Sequence, residues 1–210
     1  KRQKFAQTME QAEILCASYP ENLSYQAQKA IELMQNGDYE QAIALFDNVL
    51  EKAPKDPNTL TSKGHALKTH GDNQAAVASY KEAYKAKPDH AEAFFSLANL
   101  KTYTFEPQEI DMMKSQLQRL DLSLANRVYF HFALAQACEA VGDYEAAFDH
   151  LQNGNKIKRD QSRYTIDQMS AEMQAQIDTC THRFFEACGP GGSDRPDPIF
   201  IVGLPRAGST

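Results

Sequence analysis

Arg206, Gly208, Ser209 and Thr210 stand together in the stretch PIFIVGLPRAGST, residues 198–210, directly after an apolar run at 199–202. Their types and spacing suit anion binding. Four residues separate Gly203 from Gly208, the G-x-x-x-x-G spacing of loops whose backbone N–H groups cradle phosphate. In a triphosphate loop the next residue is Lys, which reaches the β- and γ-phosphates. Here that position is Ser209, and the cation lies inside the loop at Arg206. The amides of residues 206–210, two hydroxyls and one guanidinium suit a smaller doubly charged group, such as one phosphate joined to one further tetrahedral oxyanion. A plain Gly/Pro turn after a strand would carry the same letters with no ligand at all.

The elements that would position this loop are a short strand at 198–202 and, before it, a linker of turn residues, GPGGSDRPD, at 189–197. Everything upstream reads as helix, and it repeats. NGDYEQAIALFDNVLEKAP places Gly37, Tyr39, Ala42, Phe46 and Pro54, and a shift of 34 residues gives Gly71, Asn73, Ala76, Tyr80 and Pro88. A third copy supplies Gly142, Tyr144, Ala147 and Leu151. Each copy fits a helix pair. The glycine breaks the chain at the turn, the alanine lets two helices approach, and the large residue four positions on fills the gap. One such hairpin cannot bury its apolar face alone, so copies must stack.

In period and in Gly/Ala/Pro positions these residues resemble the tetratricopeptide repeat (TPR). The resemblance covers about residues 1–160 and implies an all-α fold, a right-handed α-α superhelix of stacked hairpins. The array runs from a partial repeat at 1–22 through repeats at 23–56 and 57–90, a divergent one at 91–122 and a last one at 123–160. The divergent repeat lacks the Gly turn and the small Ala. Asp89 and Glu92 are spaced as a capping box for its first helix, and Pro107 starts an independent helix with Ile110, Met113 and Leu117 inward. Residues 165–187 read as one long capping helix with Ile166, Met169, Met173, Ile177 and Phe184 or Phe185 as its packing set, which closes a helical domain over 1–188.

The terminal string looks like the 5′-phosphosulfate loop of sulfotransferases, written P-R-S-G-T-T or P-K-x-G-T-T after an apolar strand. Stacked TPR units followed by such a loop resemble the bacterial TPR-containing sulfotransferases, related to protein-tyrosine sulfotransferases. That resemblance implies 3′-phosphoadenosine-5′-phosphosulfate (PAPS) as donor, transfer of a sulfuryl group to a hydroxyl or amine, with a protein tyrosine among the acceptors it suggests, and no metal. Pro205, Arg206, Ala207, Gly208, Ser209 and Thr210 would hold the donor, with Arg206 neutralising charge on the leaving group. Ala207 replaces the commoner Ser and loses one hydroxyl contact. A general base and a 3′-phosphate set belong further along such a domain, so the chain reads as its N-terminal fragment, inactive alone, with strand and loop from a truncated α/β domain. Two other readings stay open: a non-enzymatic TPR adaptor that binds peptide segments, and a TPR protein fused to a nucleoside-triphosphatase.

In TPR arrays, positions 2, 5, 9, 12 and 13 of each first helix line the inner groove. Mapped here they are Asn58, Thr61, His65, Lys68 and Thr69, then Glu92, Phe95, Asn99, Thr102 and Tyr103, then Tyr129, Phe132, Gln136 and Glu139. Aromatics mixed with amides and hydroxyls suit an extended peptide or protein partner; the chain's own catalytic domain is the other occupant. A net charge of −6 argues against a nucleic-acid binder. The one basic cluster, Lys156–Arg159, reads as a solvated helix end. No apolar run approaches the ~20 residues a membrane span needs, and a cytoplasmic protein with reduced, mostly buried thiols is expected. Pro20 stands 34 residues before Pro54, so residues 1–20 read as the second helix of an earlier repeat, which suggests that upstream repeats are missing. Cys180, His182 and Cys188 are too few and too irregular for a metal site.

Overall fold

The computed structural model describes residues 5–162 and 165–189. The chain divides into two compact units, Lys1–Ser162 and Arg163–Thr210. Among the described residues every regular element is an α-helix. The strand expected at 198–202 lies outside the described residues.

The first unit holds α1 (Phe5–Ser18), α2 (Leu23–Asn36), α3 (Tyr39–Lys52), α4 (Pro57–His70), α5 (Asn73–Ala86), α6 (Ala91–Ala98), α7 (Pro107–Leu117), α8 (Leu124–Ala140) and α9 (Tyr144–Gln161). Three Gly-Asp pairs make its tightest turns. Gly37, Gly71 and Gly142 adopt φ of 92°, 107° and 80°, a left-handed region that disfavours side chains. The amide of the following aspartate reaches back to a carbonyl five residues earlier, at Leu33, Leu67 and Cys138. Asp72 and Asp143 then accept amides of the next helix, from Ala75 at 2.9 Å and Ala146 at 3.1 Å. One dipeptide thus closes one helix and starts another.

The period-34 alanines become helix contacts. Ala42 and Ala76 are fully buried, and Phe46 and Tyr80 fill the adjoining gaps with no exposure. The third copy differs: Ala147 is buried, but Leu151 is 43% exposed, because no further helix of this unit covers α9 there. The first helices α2, α4, α6 and α8 lie side by side in order, and α3, α5, α7 and α9 pack behind them. At the centre Phe94 stacks on Tyr84 with ring centroids 4.4 Å apart and leans on Phe130 at 5.6 Å.

The divergent stretch forms two short helices. Pro107 opens α7, and Met113 is fully buried while Ile110 and Leu117 are partly so. The capping box expected from Asp89 and Glu92 does not form. α6 begins after His90 with no side-chain cap, because Asp89 faces Arg119 and Glu92 turns towards His65. Glu109 was not anticipated as a core residue. Its carboxylate is buried and accepts from the hydroxyls of Tyr84 and Tyr103, each at 2.6 Å, and from the amide of Glu106 at 2.9 Å.

In the second unit, the single helix expected over 165–187 is two: α10 (Ile166–Thr179) and α11 (His182–Cys188). Thr181 interrupts it by accepting the amide of Phe184, as an N-cap does. Its expected packing set, Ile166, Met169, Met173, Ile177, Phe184 and Phe185, is exposed.

Candidate functional site

The layer of first helices carries most of the side chains expected to line a groove. On α4, His65 follows Gly64, whose lack of a side chain is required: a Cβ there would come within 2.4 Å of the Tyr80 ring. The closely seated Tyr80 places its hydroxyl 2.9 Å from Nδ1 of His65. Burial, then the nearby Glu92 carboxylate, raises the Tyr80 hydroxyl well above its ordinary range. The hydrogen bond to Nδ1 fixes the imidazole and turns its other nitrogen, Nε2, away from Tyr80. That nitrogen faces Oε1 of Glu92 at 3.7 Å. His65 in turn holds the Glu92 carboxyl below the usual carboxylate range, against the opposing effect of burial. His65 and Glu92 are 38% and 44% exposed at their side chains.

Phe95 lies three residues beyond Glu92 on α6, hence on the same face. Its ring centroid is 5.0 Å from that of Tyr129 and 6.2 Å from that of Phe132, both on α8. All three rings are partly exposed. A second glycine makes room for them: a Cβ at Gly154 of α9 would come 2.7 Å from Phe132. Gln136 is half-buried further along α8, and Asn99 and Lys68 are exposed.

Two predicted groove residues are occupied elsewhere. Thr61 is 2% exposed; its hydroxyl donates to the Pro57 carbonyl at 2.8 Å and meets Nε2 of the buried His90 at 2.8 Å. Tyr103 donates to Glu109, so it supports the α6–α7 connection. Asn58, by contrast, lines a cavity of about 390 Å³ between α2, α3 and α4. Its other walls include Ser24, Ala27, Gln28 and Ile31 of α2, residues the sequence reading left out. The signal was available: Ser24, Ala27 and Ile31 occupy positions 2, 5 and 9 of the repeat one period before Asn58.

Behind the aromatic trio, the Nδ1 atoms of His131 and His150 are 3.0 Å apart and link α8 to α9. Burial, then the neighbouring His150 and Arg127, pushes His131 down to about 4. His150 is lowered by burial and Lys114, with Asp149 opposing. Among the described residues no group of three or more His, Cys, Asp and Glu could hold a metal ion. Only Cys138 is buried, whereas Cys180 and Cys188 are exposed, since their short helices bury no residue; mostly buried thiols are not what the structure has. No helix among the described residues is long and apolar enough to cross a membrane. Pro205, Arg206, Ala207, Gly208, Ser209 and Thr210, the predicted donor loop, lie outside the described residues.

Comparison with known proteins supports the repeat and stops there. Residues 28–59 and 61–100 match a tetratricopeptide repeat model; neither segment reaches residues 198–210. An uncharacterised protein of Aquifex aeolicus (strain VF5) is 23% identical over 192 residues, which are 91% of this chain and 24% of that protein. The chain therefore spans about a quarter of that relative's length. Among solved structures, a MamA crystal structure aligns with a TM-score of 0.54 at 14% identity, covering 76% of this chain and 92% of that one. MamA from Desulfovibrio magneticus RS-1 aligns with a TM-score of 0.52 at 20% identity, covering 77% and 89%. At such identities the likeness is one of fold. Residues 28–59 and 61–100 are thus similar to tetratricopeptide repeats, and the helix pairs around them share the fold of such arrays.

Proposed function

We propose that the chain is a protein-interaction module that holds an extended segment of a partner along its layer of first helices. The observation that carries this reading is the partly exposed trio Phe95, Tyr129 and Phe132 beside Glu92. Rings of this kind offer rigid apolar area at low entropic cost, and a neighbouring carboxylate fixes orientation. The adaptor reading needs nothing beyond the repeats. Photo-crosslinking tests it: a benzophenone side chain at position 95 should couple to peptides selected on the chain from a random 12-residue library. The same group at Phe148 of α9, on the second-helix layer, should not. Equal coupling from both positions would remove the groove from the account.

A second reading keeps the sulfotransferase domain. What favours it is the string PIFIVGLPRAGST, with Arg206 inside the loop and Ser209 where triphosphate binders carry Lys. In that reading the repeats present an acceptor to a PAPS-dependent domain of the full-length protein. There, 3′,5′-adenosine bisphosphate should raise the melting temperature and ATP should not. Stabilisation by both alike, or by neither, would reject the donor loop and leave the interaction module standing.

A further inference from the structure

We propose that Glu92 with Phe95, Tyr129 and Phe132 forms a receptor for an arginine guanidinium in the bound partner segment. This rests on the interaction-module reading above and names what that face selects. The chemistry is that of an anion beside partly exposed rings. Nδ1 of His65 is taken by the Tyr80 hydroxyl, and Glu92, 3.7 Å from Nε2 of the same ring, keeps 44% of its side chain exposed. A half-exposed carboxylate therefore stands one helical step from Phe95. Aromatic faces attract cations through their quadrupole. Guanidinium is planar, stacks on rings and donates to carboxylate oxygens in a fixed fork, which an ammonium does not. A neutral or acidic segment would instead desolvate the exposed part of Glu92 with only His65 beside it, a cost of the kind that rejects wrong ligands. The chain's net charge of −6 adds long-range attraction for a basic partner. Lys68 opposes it: it is exposed on α4 one turn beyond His65.

The test is peptide selection followed by charge-specific variants. A random 12-residue library is panned on the wild-type chain, and the dominant peptides are titrated by calorimetry. Expected are pools enriched in arginine, about tenfold weaker binding in Glu92→Gln and in Phe95→Leu, and tighter binding in Lys68→Ala. Replacing the peptide's arginine by lysine should lose part of the affinity and by citrulline most of it. Circular dichroism and melting of each variant separate lost folding from lost binding, and Lys68→Ala reports even where Phe95→Leu is unstable. Pools without basic residues that still depend on Phe95 and Tyr129 would overturn the arginine receptor and leave the interaction module. Arginine-rich pools indifferent to Glu92→Gln and Lys68→Ala would overturn the site. No pool dependent on this face would overturn both readings. The chain's own exposed basic stretch, Lys156 to Arg159, is the competing guest. If wild type sediments as a dimer that Glu92→Gln or Arg159→Ala dissociates, the occupant is a second copy and the partner proposal fails.

Discussion

The Tyr80 hydroxyl stands 2.9 Å from Nδ1 of His65, and through it a buried ring on α5 holds a partly exposed imidazole on α4. Tyr80→Phe should cost about 1 kcal/mol, the net worth of one internal hydrogen bond. It should also release His65 to populate its other tautomer. Urea unfolding measures the first effect and imidazole 15N shifts the second. An unchanged tautomer would show that Tyr80 does not govern the ring.

Gly64 and Tyr80 are coupled by space. Alanine favours a helix over glycine by about 1 kcal/mol, yet its Cβ at position 64 would sit 2.4 Å from the Tyr80 ring. Gly64→Ala should therefore destabilise, by about 1–3 kcal/mol for overpacking. In a Tyr80→Ala background the same change should become neutral or stabilising. Additive effects in the double-mutant cycle would contradict the contact.

Much of this architecture is legible in the sequence because it is local. A glycine at φ > 0, an alanine at a helix crossing and a proline at a helix start each act within a few residues. The expected alternation of turns therefore appears at Gly37, Gly71 and Gly142. Glu92 and Glu109 were less readable, since their partners are remote: His65 lies 27 residues before Glu92, and Tyr84 lies 25 before Glu109. Thr61 fits the groove register yet is drawn inward by His90, a pairing 29 residues apart. The break at Thr181 carried a readable signal, an N-cap residue inside an apolar period, which the longer periodicity overrode. On the site itself, periodicity pointed to Phe95, Tyr129 and Phe132, whose rings lie together, but nothing in it gives the contact between Glu92 and His65 beside them.

The paired imidazoles of His131 and His150 predict an acid-sensitive α8–α9 contact. Both lie below the ordinary histidine value of 6.5, His131 at about 4. Between those values the unfolded chain binds more protons than the folded one, so stability rises with pH across that range. It should be fully present above about pH 7 and fall progressively from about 6.5 towards 4. Unfolding at a series of pH values should show this slope, and His131→Gln should flatten it. A slope of the opposite sign would contradict the buried neutral pair.

Phe94 and Leu120 mark the two extremes of apolar cost. Phe94 is fully buried between Tyr84 and Phe130, whereas Leu120 is 98% exposed. Phe94→Ala should cost about 3–5 kcal/mol and Leu120→Ala less than about 0.5. Comparable losses in chemical denaturation would contradict the assigned core.

The central claim is that the layer of first helices binds the partner segment. Its most direct test is the dissociation constant of a library-selected peptide for two double variants, one on each layer. Phe95→Ala with Tyr129→Ala should weaken binding by more than about tenfold, each ring contributing at the level of an interface anchor. Tyr144→Ala with Phe148→Ala, on the exposed face of α9, should leave it unchanged. Loss in the second pair with retention in the first would place the binding surface on the other layer and contradict the account.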